Sequence, residues 1–292
     1  MRATLAALIV STVVTTPAQA PDRVAAARVQ IERVIAASTH EVAVVWRPLD
    51  ARDGEEIAIN ASTRFHAAST MKVPVMVELF RQRDAGLLKL DETIVVSNTF
   101  KSIVDGSPYT LSVSDDSDGE TYRQIGKAAS LAALCEAMIT VSSNLAANIL
   151  IDRLDPLRIQ ATTDGLGAGG MKVMRGVEDQ KAFDKGLNNS TDAAGLAALF
   201  TKIGRGEAVS ATTSAEMIEI LKRQKFRAGI PAGVRAGTAV AHKTGTITRV
   251  HHDAGIVFAQ RPYVLVVLTR GFPTEKESDR TIAEISRIVF GM

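Results

Sequence analysis

Strand-like patterning in this chain is confined to its two ends, and a long stretch of helical periodicity separates them. Valine-rich Glu41 to Arg47 and the segment Glu55 to Ile59, joined by the turn Asp50 to Gly54, read as a hairpin. An amphipathic helix precedes them, marked by Val24, Ala27, Ile31, Val34 and Ile35. Strand patterns return near Val240 to Thr244, Gly255 to Gln260 and Tyr263 to Thr269, with Arg261-Pro262 turning between the last two. Ile282, Ile285, Ile288 and Val289 mark a closing helix. Between the two ends, helices are expected from Ser69 onward, over Ser130 to Thr140, Leu145 to Leu154, Thr191 to Ile203 with Thr191 as cap, and Thr213 to Lys225. This order predicts an α/β (α+β) chain. An antiparallel sheet of about five strands comes from both chain ends and is flanked by helices, with an all-helical lobe inserted. Residues 21–60 and 208–292 would form the α/β lobe and 61–207 the helical lobe, together one domain.

Composition narrows the class of function. The 292 residues are 46% hydrophobic and 23% charged, which is ordinary for a soluble globular chain. The net charge of +2 and 4% aromatics, with no basic cluster interleaved with aromatics, argue against a nucleic-acid partner. Residues 1–20 read as a cleavable signal peptide: Arg2, then apolar Ala3 to Val14, then the small-x-small site Ala18-Gln19-Ala20. A periplasmic or secreted protein without a stable membrane anchor is therefore expected. Cys135 is the only cysteine. It shares an apolar helix face with Leu131, Leu134, Met138 and Ile139, so it reads as core.

Chemistry concentrates in three short motifs. In Ser69-Thr70-Met71-Lys72, positions i and i+3 share a helical face, which puts Lys72 beside Ser69. A serine hydroxyl needs a nearby base to become a nucleophile, and a desolvated lysine can be one. Ser142-Ser143-Asn144 falls in a helix-to-helix turn. Lys243-Thr244-Gly245 lies on the first of the late strands, and a Lys-Thr-Gly at a given place is a rare chance event, about once in several thousand positions.

Together, in this order, the motifs resemble those of the class A β-lactamases. The resemblance covers essentially the whole mature chain. It runs through Phe65 to Val75, Val141 to Asn148 and His242 to Thr246. The family reads Ser-Asp-Asn where this chain has Ser142-Ser143-Asn144, which implies altered support of the turn rather than lost chemistry. By resemblance, Ser69 attacks a β-lactam carbonyl with Lys72 or a Glu178-held water as base. The oxyanion forms between the N–H groups of Ser69 and Thr246. Ser142 passes a proton to the lactam nitrogen, Lys243 and Thr244 hold the substrate carboxylate, Gly245 lets the strand approach, and Asn144 binds the side-chain amide.

The family deacylates with a loop Glu. Glu178 falls at the expected distance, although the usual Glu-x-x-x-Asn spacing is not kept. Asp184 keeps that spacing to Asn188, with an aspartate for the glutamate, but lies close to the next helix, so Glu178 is preferred. Asn188 or Asn189 is the candidate to hold the water. Arg249 is the candidate for an additional carboxylate contact, and Tyr109 or Tyr122 for an aromatic wall. His251-His252-Asp253 lacks a third ligand at sensible spacing, so no metal or cofactor is expected. His40 and His66 read as surface or packing residues, and Asp105 to Thr121 as a solvated loop. The expected partner is a small β-lactam, and the expected state a monomer. The alternatives are a D,D-peptidase or esterase-like hydrolase of the same fold, or a penicillin-binding or sensing domain.

Overall fold

The computed structural model describes residues 20–51 and 55–292; the expected signal segment (but for Ala20) and part of the hairpin turn lie outside the described residues. One sheet organises the chain. Its strands are β1 (Glu41–Pro48), β2 (Ile57–Ile59), β3 (Val240–Ile247), β4 (Val250–Val257) and β5 (Tyr263–Arg270). They lie in the order β2-β1-β5-β4-β3, and every pairing is antiparallel. The first strand of the chain pairs with the last, Glu41 opposite Arg270 through Pro48 opposite Tyr263. The two ends are thereby closed into one sheet, as the patterning predicts.

Both faces of the sheet are covered, which is why its strands read as nearly continuous apolar runs. Along β1 the side chains alternate between two cores. Val42, Val44 and Trp46 meet α1 (Ala20–Ser38) and α8 (Glu275–Phe290) through Ile31, Ile282 and Val289. Ala43 and Val45 join the opposite core, shared with the helices of the middle segment.

Those helices are α2 (Lys72–Asp84), α3 (Leu131–Thr140), α4 (Asn144–Leu154), α5 (Pro156–Gly165), α6 (Ala193–Gly204) and α7 (Ala211–Lys222). Most begin on a side-chain cap: Ser130, Ser143, Asp155, Asp192 and Ser210 each accept a backbone N–H of the first turn. Helix α2 is buried on every side from Lys72 to Phe80, Lys72 and Glu78 included, so it runs through the centre of this part of the molecule. Cys135 is buried in the same core, and burial pushes its thiol up to about 12, so it is unreactive.

Several boundaries differ from the expectation. Strand β4 starts at Val250, five residues before Gly255, because the polar run His251-His252-Asp253 hides a strand whose residues are all buried. Strand β3 continues past Thr244 to Ile247. Helix α6 is capped by Asp192, while Thr191 pairs with Phe65 in a short two-stranded ladder. Helix α7 starts before Thr213 because Ser210 is its cap, and it ends at Lys222 rather than Lys225.

Candidate active site

Ser69 lies in a 3-10 turn, Ala68–Met71, rather than in the first α-helical turn, and α2 begins at Lys72. Ala68 holds φ +45°, a left-handed conformation uncommon outside glycine. Ser142 at +61° and Glu178 at +62° share that unusual region. Such residues cost on the order of 1–3 kcal/mol each and persist only where the surroundings hold them, which happens mostly at functional sites.

Lys72 is fully buried. Its Nζ turns to the Ser142 turn, donating to Ser142 O at 2.5 Å, Asn144 Oδ1 at 2.8 Å and Ser142 Oγ at 3.3 Å. Burial pushes the ammonium down to about 7, with Asp116 and Glu178 pulling the other way. The Ser142 turn is held from below. Ser143 is buried and caps α4 by accepting Ala146 N–H. Asp116 Oδ2 accepts the N–H groups of Asn144 at 2.8 Å and Leu145 at 3.0 Å, placing a carboxylate at the positive end of α4. Asp116 belongs to the segment read from sequence as a solvated loop. That reading misses it because no local signal ties residue 116 to a helix that starts 28 positions later.

The third motif approaches from the sheet. Lys243 is fully buried, and its Nζ donates to Ser142 Oγ and to Thr244 O, both at 2.9 Å. Burial, then repulsion from Lys72, pushes Lys243 well below the usual lysine range. Gly245 presses on the Ser69 turn: a Cβ there would lie 3.1 Å from the backbone nitrogens of Ser69 and Thr70. Only a bare backbone fits that contact without displacing the turn. Gln224 Nε2 reaches Thr244 Oγ1 at 3.4 Å.

Glu178 completes the cluster. Its Oε1 accepts Asn144 Nδ2–H at 3.0 Å and its Oε2 accepts Ser112 N–H at 3.2 Å. Asn144 therefore links Lys72 to Glu178 through the two ends of one amide. Burial raises the Glu178 carboxyl above its ordinary range. A cavity of about 520 Å³ opens here, lined among others by Ser69, Asn144, Glu178 and Thr246. Lys72, Ser142 and Lys243 sit behind that lining as a hydrogen-bonded layer. A second cavity of about 550 Å³ lies beside Trp46, Tyr263 and Phe290 and contains none of the motif residues.

Of the remaining candidates, Asn189 lines the cavity and the others lie outside its lining. Asp184 is exposed and accepts Gln180 Nε2–H at 2.6 Å, outside the cavity lining. Asn189 spends its amide on the backbone of Met174 and Arg175, and Asn188 Oδ1 accepts from Arg175 at 2.7 Å, so both tie down the Glu178 loop. Arg249 donates to Gly271 O at 2.6 Å and does not line the cavity. Tyr109 and Tyr122 are likewise absent from its lining. In the His251-His252-Asp253 run the partners diverge: Asp253 Oδ1 pairs with His242 Nδ1 at 2.8 Å, while His252 Nε2 meets His66 O at 2.9 Å. Among the described residues no group of three His, Cys, Asp or Glu is placed to hold a metal ion. His66, read as surface or packing, borders the cavity and accepts Ala68 N–H.

Known proteins share this architecture. The profile of the family described as "Beta-lactamase enzyme family" matches residues 26–291. Beta-lactamase FAR-1 of Nocardia farcinica is 27% identical over 252 residues, covering 82% of this chain and 75% of that one. The solved structure titled "Ancestral (GNCA) Beta-lactamase class A" superposes with a TM-score of 0.77 at 25% identity, covering 90% of this chain and 98% of that one. A mutant of PBP-A, solved as an acyl-enzyme complex with penicillin-G, superposes with a TM-score of 0.75 at 27% identity, covering 91% and 96%.

Proposed function

The chain belongs to the beta-lactamase enzyme family, and from that premise we propose that it opens β-lactams through an acyl-enzyme on Ser69 and releases the product with a water activated by Glu178. The observation that carries this reading is the continuous hydrogen-bonded layer Lys243–Ser142–Lys72–Asn144–Glu178 behind the cavity that Ser69 lines.

Ser69 Oγ attacks the lactam carbonyl and its proton leaves toward Lys72, whose amine is about half unprotonated near neutral pH given a value of about 7. The negative charge on the carbonyl oxygen meets the N–H groups of Ser69 and Thr246; one such donor is worth about 3–4 kcal/mol in the transition state. When the C–N bond breaks, the lactam nitrogen takes the Ser142 hydroxyl proton, which the adjoining lysines replace. Lys243 and Thr244 attract the substrate carboxylate. Glu178 then takes a proton from water as the water oxygen attacks the ester carbonyl; the C–Oγ bond breaks and the proton passes from Glu178 to Ser69 Oγ as the open-ring acid leaves.

Residues 1–20 are read as an export signal, which would put the enzyme in the periplasm or outside the cell, where its substrates arrive. Among the described residues no helix is long and apolar enough to cross a membrane. The competing readings, a slowly deacylating D,D-peptidase or esterase-like hydrolase and a penicillin-binding or sensing domain that stays acylated, keep Ser69, Lys72 and Lys243 but do not depend on Glu178.

The test is turnover of a chromogenic cephalosporin by the mature protein. Many turnovers, lost in Ser69→Ala, support the proposal. A single burst equal to the enzyme concentration would replace it with the slow-deacylating alternative.

A further inference from the structure

Gly245 and His252 stand opposite each other across β3 and β4. Cross-strand partners share a face of the sheet, and here that face meets the Ser69 turn. The bare Gly245 backbone touches the turn directly. Beside it the buried His252 ring packs edge-on against Phe65, with centroids 5.7 Å apart. His252 Nε2 donates to His66 O at 2.9 Å, and Nδ1 accepts Thr269 N–H at 3.1 Å. These two bonds select the tautomer protonated on Nε2, so the His251 carbonyl 2.8 Å from Nδ1 is a close contact and not a hydrogen bond. Burial pushes His252 down to about 4, so the ring is neutral across the physiological range.

The connection continues through His66. Its Nδ1 accepts Ala68 N–H at 3.0 Å. That is an i to i+2 closure of the kind Asn and Asp side chains make in an Asx-turn. Ala68 is the left-handed residue immediately before Ser69. Backbone bonds hold the neighbours, Ala67 N–H to Asn189 O at 2.9 Å and Thr70 N–H to Ala67 O at 3.1 Å. The Ala68 N–H itself is held by an imidazole.

We propose that His252 and His66 form a two-imidazole positioning relay that keeps Ala68 left-handed and so aims the Ser69 hydroxyl and N–H for acylation. The relay rests on the reading of Ser69 as nucleophile. Both histidines act through the backbone of the turn.

The test measures the acylation rate constant and the substrate binding constant separately, by stopped flow with a chromogenic cephalosporin. His66→Asn keeps an acceptor that can close the same turn, and His66→Leu does not. His252→Gln keeps a donor for His66 O, and His252→Leu does not. Expected are Leu variants that acylate roughly ten- to a hundredfold more slowly with binding changed by no more than about threefold, the signature of misplaced reacting groups. The Asn and Gln variants should stay within about threefold of the wild-type rate, because the hydrogen bonds are kept. If His252→Leu does not fold, the His66 pair decides. Leu variants that acylate normally, or Asn and Gln variants as slow as Leu, would overturn the relay while leaving Ser69 in place. Acylation surviving in Ser69→Ala would overturn the nucleophile assignment and the relay with it.

Discussion

Lys243 Nζ donates to Ser142 Oγ at 2.9 Å, tying a residue of the late sheet to a turn about a hundred residues earlier in the chain. Lys72 approaches the same hydroxyl at 3.3 Å from the other side. A hydroxyl between two lysines can give up a proton and be reprotonated at once. Ser142→Ala should therefore lower kcat by roughly 10²- to 10⁴-fold, the usual worth of a positioned proton donor. Steady-state kinetics on a folded variant, with circular dichroism as the check, would read this. A kcat within a few-fold of wild type would remove Ser142 from the proton path.

Glu178 and Asp184 make a second contrast. Glu178 is bonded to Asn144 at the cavity, while Asp184 is bonded to Gln180 at the surface. Glu178→Ala is expected to accumulate acyl-enzyme visible by intact mass, and Asp184→Ala to turn over normally. The reverse result would move the deacylating role to Asp184.

The acylation rate should depend on pH through Lys72. Its ammonium titrates at about 7, and only the amine accepts a proton. The rate constant should fall about tenfold per pH unit below that value and level off above it. Glu178, raised by burial, adds an acid limb to deacylation, because only its carboxylate activates water. Single-turnover rates that are flat from mildly acidic to alkaline pH would exclude Lys72 as the base.

His252 makes the fold sensitive to acid. Its folded value is about 4 against 6.5 for the free side chain. Between those values the unfolded chain binds more protons, so stability rises with pH across the window and is lost as pH falls through it. The loss amounts to roughly 3 kcal/mol. Urea unfolding at pH 7 and pH 4 should show the wild type losing that much more than His252→Gln. Equal losses would mean that the buried ring does not set the acid response.

Much of the fold and site is legible in the sequence. A sheet of about five antiparallel strands is legible from strand patterns at the two ends, and the candidate residues Ser69, Lys72, Ser142, Asn144 and Lys243 from three short motifs, whereas the order of the strands is not. What escapes has a common cause. Strand β4 reads short because buried polar residues break the apolar alternation, and His252 and Asp253 are satisfied there by partners on other elements. Asp116 reads as a solvated loop residue until α4 is placed above it. The strained backbone at Ala68, Ser142 and Glu178 has no glycine or asparagine to announce it.

By itself the sequence determined which side chains are available for chemistry and which elements carry them, because periodicity and short motifs are local properties. Only the tertiary structure decided how they connect. Lys72 turned to Ser142 and Asn144, Asn144 took hold of Glu178, and His252 took hold of the strand leading to Ser69. Those links join positions 34 to 186 residues apart. Hydrogen bonds over such separations form only once sheet, helices and loop are packed, and the packing that buries the two lysines is also what shifts their protons.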